Sequence, residues 1–106
     1  MNEIFTIKKT YTCIDEDMIP VYLPFTVKVS ISNLSDKEKN ELIPTIENMV
    51  EYSIRLNTCQ INFENICRYT FRFIKDIYNS LRDDLILINC DVIDIYVGDE
   101  KITCNK

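Results

Sequence analysis

The chain has 106 residues, 46% of them hydrophobic, which is enough for one domain with its own core and excludes a disordered segment. Its formal net charge of -5, with 12 basic residues scattered along the chain, speaks against a nucleic-acid partner. The count of 0 His removes His-based acid-base catalysis, Ser-His and Cys-His nucleophilic pairs, and every His-containing metal site. No apolar run approaches the roughly 18 residues that a membrane-spanning helix needs. The N-terminal stretch Met-Asn-Glu-Ile-Phe-Thr-Ile-Lys-Lys lacks the basic-then-apolar order of a signal peptide. A soluble, cytoplasmic chain without membrane or nucleic-acid partners is expected.

Residues 3 to 12 alternate loosely and predict a first strand, interrupted by Asp15-Glu16-Asp17. Pro20 and Pro24 constrain the approach to a second strand, Phe25 to Ser32, with Phe25, Val27, Val29 and Ile31 on one face and Thr26, Lys28, Ser30 and Ser32 on the other. Ser35 and Glu38 have capping-box spacing and open a helical turn or two. Pro44 predicts that the main helix restarts there, after which Ile46, Met49, Val50, Ser53 and Ile54 hold one face to about Asn57. Asn62 is the N-cap of a second helix whose first turn carries Glu64, and Phe63, Ile66, Cys67, Thr70, Phe73, Ile74, Ile77 and Leu81 recur at helical spacing. Asp83-Asp84 ends it. Leu85 to Val97 reads as strand, with a bend or bulge at Asn89-Cys90-Asp91, and Gly98-Asp99-Glu100 as a hairpin loop into Lys101 to Cys104.

The expectation is therefore a single α+β domain, 1–106, with an antiparallel sheet and two sequential helices in the order ββααββ. The Phe25 face of the sheet packs on the helices. Exposed sheet edges predict a homo-oligomer.

Cys13, Cys59, Cys67, Cys90 and Cys104 are odd in number, form no Cys-x-x-Cys pair, and sit in apolar contexts as small hydrophobes. Neither they nor the rest of the chain assemble a metal site, and no cofactor is expected. The middle of the chain is twinned. Ile46-Glu47-Asn48-Met49-Val50-Glu51-Tyr52 is echoed by Phe63-Glu64-Asn65-Ile66-Cys67-Arg68-Tyr69, which places a buried-looking Glu-Asn pair at the start of the second helix.

These residues carry a resemblance. The element order resembles the tunnelling fold, whose subunits join sheets into a barrel and bind pterins or purines at subunit interfaces. Leu23-Pro24-Phe25-Thr26-Val27-Lys28-Val29 is similar to the His-Gly-His-x-Tyr-Lys-Val approach to the second strand in the 6-pyruvoyl- and 6-carboxy-tetrahydropterin synthase family. Phe63-Glu64-Asn65-Ile66-Cys67-Arg68-Tyr69 is similar to that family's Pro-Thr-x-Glu-Asn helix start, and Leu56-Asn57 falls where the family often has Leu-Asn. Pro44-Thr45-Ile46-Glu47-Asn48 matches the Pro-Thr-x-Glu-Asn string more closely still, so both Glu47 and Glu64 are candidates, with element order favouring Glu64.

The departures bear on activity. The resemblance implies zinc held by three histidines, and Leu23 and Phe25 stand at the His-x-His positions. The family's Asp-His proton relay corresponds to Ser53-Ile54, its Cys ahead of the His pair to Ile19, and its Trp-Glu-Thr stretch to Tyr96-Val97-Gly98. Zinc chemistry and pterin synthesis are thus not expected. A ligand site inherited from the resemblance would comprise Glu64, Asn65 and Tyr96, with Glu64 accepting hydrogen bonds from an amidine-like edge. Glu64 is equally an ordinary first-turn carboxylate favoured by the helix dipole by about 0.3–1 kcal/mol. Tyr52 and Tyr69 are expected to pack, and Asp91, Asp94, Asp99 and Glu100 to form a solvated acidic face. Three functions remain open: a non-zinc tunnelling-fold-like oligomer with a small heterocyclic ligand, a small acidic protein-interaction or inhibitor module, and a metal-free dihydroneopterin-aldolase-like enzyme using Glu64 with a lysine such as Lys101 or a tyrosine.

Overall fold

The structure, a computed structural model, describes residues 2–32 and 34–98 and the backbone of 103–104. Strands β1 (Asn2–Ile14) and β2 (Pro20–Ser32) pair antiparallel over their whole length, from Asn2 opposite Ser32 to Ile14 opposite Pro20. Helix α1 (Asp36–Thr58) follows, then α2 (Phe63–Arg68), α3 (Thr70–Leu85) and a 3-10 turn at Ile86–Ile88. Strand β3 (Asp91–Val97) returns antiparallel to the free side of β2, giving the sheet order β1-β2-β3. The chain is α+β, with an antiparallel sheet covered by helices on one face.

Strict alternation in β2 fixes that face. Val21, Leu23, Phe25, Val27, Val29 and Ile31 are all buried, while every intervening residue from Tyr22 to Ser30 is half-buried. Ile7, Tyr11 and Cys13 of β1 and Val92 of β3 extend the same apolar surface. Ile46, Val50 and Ile54 of α1, Ile66 of α2, and Phe73, Ile77, Leu81 and Leu85 of α3 close over it as one core. Burying each such aliphatic or aromatic side chain contributes roughly 1.5–3 kcal/mol. The Phe25 ring lies 6.2 Å from Tyr11 and 6.4 Å from Phe73, joining β1, β2 and α3. Where α1 and α3 meet, the buried Ser53 hydroxyl donates to the Ile77 carbonyl over 3.5 Å.

Four expectations need correction. Helix α1 does not restart at Pro44. It begins at the capping box, with Ser35 and Glu38 bonded reciprocally, and runs through Pro44 unbroken to Thr58. Pro44 and Asn40 are both exposed, so water can reach the Asn40 carbonyl that loses its intrahelical donor. Conversely, the second helix is not continuous. Tyr69, at φ -122 and ψ 45, leaves the helical region and divides α2 from α3.

The third correction concerns Leu85 to Ile88, which are helical and 3-10 rather than strand. Asp83-Asp84 does not stop α3. The helical run ends at Asn89, whose left-handed backbone (φ 58) suits asparagine. The irregularity in the sheet lies instead in the pairing of β3 with Lys28 and Val29.

The fourth concerns the C-terminal segment. Asp99, Glu100, Lys101 and Ile102, on which the hairpin reading falls, lie outside the described residues. Thr103–Cys104 (β4) pair with Val21 and Tyr22 of β2. Since β1 occupies the other side of those residues, β4 follows β3 along the same side of β2. Pro24 stands at the junction. Its carbonyl accepts from Gly98 N–H over 2.7 Å, so its missing N–H faces the side where the β3 ladder ends.

Candidate functional site

The N-terminus of α2 is built by capping. Asn62 Oδ1 accepts from Asn65 N–H over 2.8 Å. The neighbouring Asp15 carboxylate, 1% exposed, accepts from Asp17 and Ile19 N–H through Oδ1 and from Phe63 N–H through Oδ2. A buried charge is tolerable only with such compensation. Asp15 ties the β1–β2 turn to α2.

Glu64, expected to be buried, is not. Its side chain is 74% exposed and pairs with Arg68 Nη2 at 2.8 Å, one turn along the helix. A first-turn position pointing away from the sheet explains this: Ile66 takes the buried place. Asn65 is half-buried, with its carbonyl accepting from Tyr69 N–H over 2.8 Å. Glu47 is exposed on α1 and borders a cleft of about 220 Å³ with Lys9, Tyr11, Pro44, Asn48 and Glu51. The Tyr11 hydroxyl there is pushed up to about 12, first by burial and then by the charges of Glu51 and Glu47. Lys9 Nζ lies 5.3 Å above the Tyr11 ring.

Tyr96 belongs to a different surface. It is 47% exposed on the outer face of the sheet, where the register sets Lys8, Thr26 and Tyr96 in one row across β1, β2 and β3. Lys28 Nζ lies 5.9 Å from the centre of its ring. A concavity of about 570 Å³ adjoins it, lined on the outer face by Lys8, Thr10, Pro24, Thr26, Tyr96 and Gly98. Thus α2 brings Glu64 and Asn65 together, whereas Tyr96 shares no described pocket with them.

Other expectations divide. Cys13 and Cys90 are buried, and burial pushes both thiols up, but Cys59 and Cys67 are exposed. Tyr52 and Tyr69 do not pack inside; they are 63% and 52% exposed. Asp91 is exposed and Asp94 half-buried, while Asp99, Glu100 and Lys101 lie outside the described residues.

The zinc implied by the resemblance does not fit these residues. Leu23 and Phe25 are buried in the helix-facing core, and Ser53 and Ile54 are buried where α1 meets it. Among the described residues no three Cys, Asp or Glu side chains converge as a ligand set. The residue that sequence reasoning missed is Asp15. An Asp opening a turn signals a local cap of this kind, visible as Asp15-Glu16-Asp17, whereas its bond to Phe63 depends on tertiary packing.

Among the described residues, no helix is long and apolar enough to cross a membrane. No protein-family profile matches the chain, and no curated protein sequence matches it either.

Proposed function

We propose that the chain is a non-zinc, tunnelling-fold-like subunit that assembles into a homo-oligomer, lacks pterin synthase activity and binds a pterin- or purine-type heterocycle weakly. One observation carries this reading: among the described residues the sheet is covered by helices on one face only, and its first strand has no strand partner on the side away from β2. Pairing with another subunit along that edge satisfies its backbone groups and extends the sheet. The finer ββααββ order, with a last strand near the C-terminus, belongs to this proposal. Glu64, Asn65 and Tyr96 are its ligand residues. Glu64 and Asn65 lie on α2, on the helix-covered side, and Tyr96 on the outer face of the sheet, so a ligand touching all three would lie between subunits. The absence of synthase activity rests on Leu23, Phe25, Ser53 and Ile54, which supply neither a metal ligand nor a proton relay.

Light scattering combined with a binding screen of free pterins and purines tests the reading. A single species of 12.5 kDa at all concentrations overturns the assembly. If a heterocycle binds, Glu64→Gln weakens it by about 1–3 kcal/mol through a mismatched hydrogen bond, and Glu47→Gln does much less. A second reading, a protein-interaction module, is favoured by one feature: an apolar groove of about 310 Å³ between α1 and the end of α3, lined by Met49, Tyr52 and Leu87. A monomer that binds no heterocycle supports it.

A further inference from the structure

The outer face of the sheet has three properties that do not follow from strand packing. First, the concavity of about 570 Å³ beside Tyr96 is the size of a small-ligand site, and Pro24 and Gly98 line it where the β3 ladder ends. Second, it offers an aromatic face. Tyr96 is 47% exposed, and its row neighbour Thr26 is too small to cover the ring. Third, it is locally cationic in a chain of net charge -5. Lys8 lines the concavity and Lys28 Nζ stands over one face of the Tyr96 ring, leaving the other for stacking, and neither lysine lies within ion-pair distance of a carboxylate among the described residues. Asp94 is the register partner of Lys28, yet no ion pair joins them. Thr10 and Thr26 add hydroxyls along the same wall.

From this we infer that the outer sheet face binds a planar aromatic ring bearing a phosphate, a mononucleotide-type ligand, with Tyr96 stacking on the ring and Lys8 and Lys28 holding the anion. The inference rests on the heterocycle-binding reading above and deepens it: the ligand is anionic, and Tyr96, which that reading already includes, receives its ring on the sheet. Stacking on an exposed aromatic tolerates any base, and ammonium groups recognise phosphate as point charges. Lys9 also borders the concavity, but strand alternation turns its side chain to the helix-facing side, where its Nζ lies 5.3 Å from the centre of the Tyr11 ring.

Calorimetric titration with guanosine 5′-monophosphate, guanosine, inorganic phosphate and a short single-stranded oligonucleotide tests the assignment. The monophosphate is expected to bind about 10-fold tighter than guanosine or phosphate alone, and Tyr96→Ala and Lys8→Gln each to weaken it by about 10-fold. Lys75→Gln, on the exposed side of α3 and away from this face, leaves it unchanged. All three side chains are exposed, and circular dichroism confirms that the variants stay folded. Phosphate binding as tightly as the monophosphate, or an oligonucleotide binding far more tightly, overturns the inference. So does a monophosphate insensitive to Tyr96→Ala. If neutral pterins or purines bind through Glu64 while the monophosphate does not bind, this inference fails and the heterocycle reading stands. If nothing binds, both fail.

Discussion

Phe63 donates its backbone N–H to Asp15 Oδ2 over 3.0 Å, across 48 residues of sequence. This bond, backed by Glu16 N–H donating to the Ile61 carbonyl over 3.1 Å, fastens the β1–β2 turn to the start of α2. The same carboxylate closes its own turn through Asp17 and Ile19, each at 2.9 Å. Met18, at φ 64, sits inside that turn and depends on it.

Replacing Asp15 therefore removes one acceptor from three backbone donors. Asp15→Ala is expected to destabilise the fold by about 3 kcal/mol, since three part-buried donors lose their acceptor. Asp15→Asn keeps one carbonyl oxygen and loses about 1–2 kcal/mol. Urea denaturation followed by circular dichroism measures both. A loss below about 0.5 kcal/mol for the alanine variant would show that the turn and helix hold each other without the carboxylate.

Pro44 offers a test of opposite sign. It sits inside α1, exposed, where its ring removes the donor to the Asn40 carbonyl. Pro44→Ala restores that bond and is expected to stabilise the protein by about 1–3 kcal/mol, seen as a higher midpoint in thermal melting. A lowered midpoint would mean that the bend imposed by proline is needed for α1 to follow the sheet.

Pro44 also shows where sequence reasoning stops. Alternation in Phe25 to Ile31 and helical spacing in Ile46 to Ile54 were legible because burial imposes those periods directly. The Ser35–Glu38 and Asn62 caps were legible because they are local chemistry. Pro44 misled because packing along one long face outweighs a single lost hydrogen bond. Leu85 to Ile88 misled because a short apolar run has no period, and its fate is decided by Leu85 fitting into the core beneath α3. Of the candidate site, the position of Glu64 on the helix was legible, but its exposure was not. That depends on which side of α2 meets the sheet, and the sheet is far away in sequence. The row of Lys8, Thr26 and Tyr96 exists only through strand register.

Tyr11 gives the fold an alkaline limit. Its hydroxyl is raised from 10.0 to about 12 by burial, then by Glu51, Glu47 and Cys13. The fold thus holds the neutral form more tightly than the unfolded chain does. The sign follows from linkage: this stability is whole below about pH 10 and is lost as pH rises towards 12. The denaturation midpoint is expected to fall across that window. Tyr11→Phe flattens the fall but does not abolish it, because burial also raises the thiols of Cys13 and Cys90. An unchanged slope in the phenylalanine variant would assign the alkaline loss to other groups.

The edge of β1 gives the last prediction. Pro24 turns its carbonyl towards Gly98, so the residue opposite it, Thr10, turns its own backbone groups away from β2. By alternation Ile4, Thr6 and Lys8 do the same, and Thr12 confirms the parity: its outward carbonyl accepts from Arg55 Nη1 over 2.8 Å. Arg55 thus covers one end of the edge, leaving the stretch around Thr6 for a partner strand. Thr6→Pro removes an outward N–H without touching the β1–β2 ladder, a position where edge proline is tolerated. It is expected to shift the assembled species to 12.5 kDa in light scattering with the circular dichroism spectrum kept. Phe5→Pro, on the inward-bonded parity, instead breaks the ladder and destabilises the subunit itself. An oligomer that survives Thr6→Pro would move the contact away from β1, to the outer sheet face or to the apolar groove at Tyr52 and Leu87.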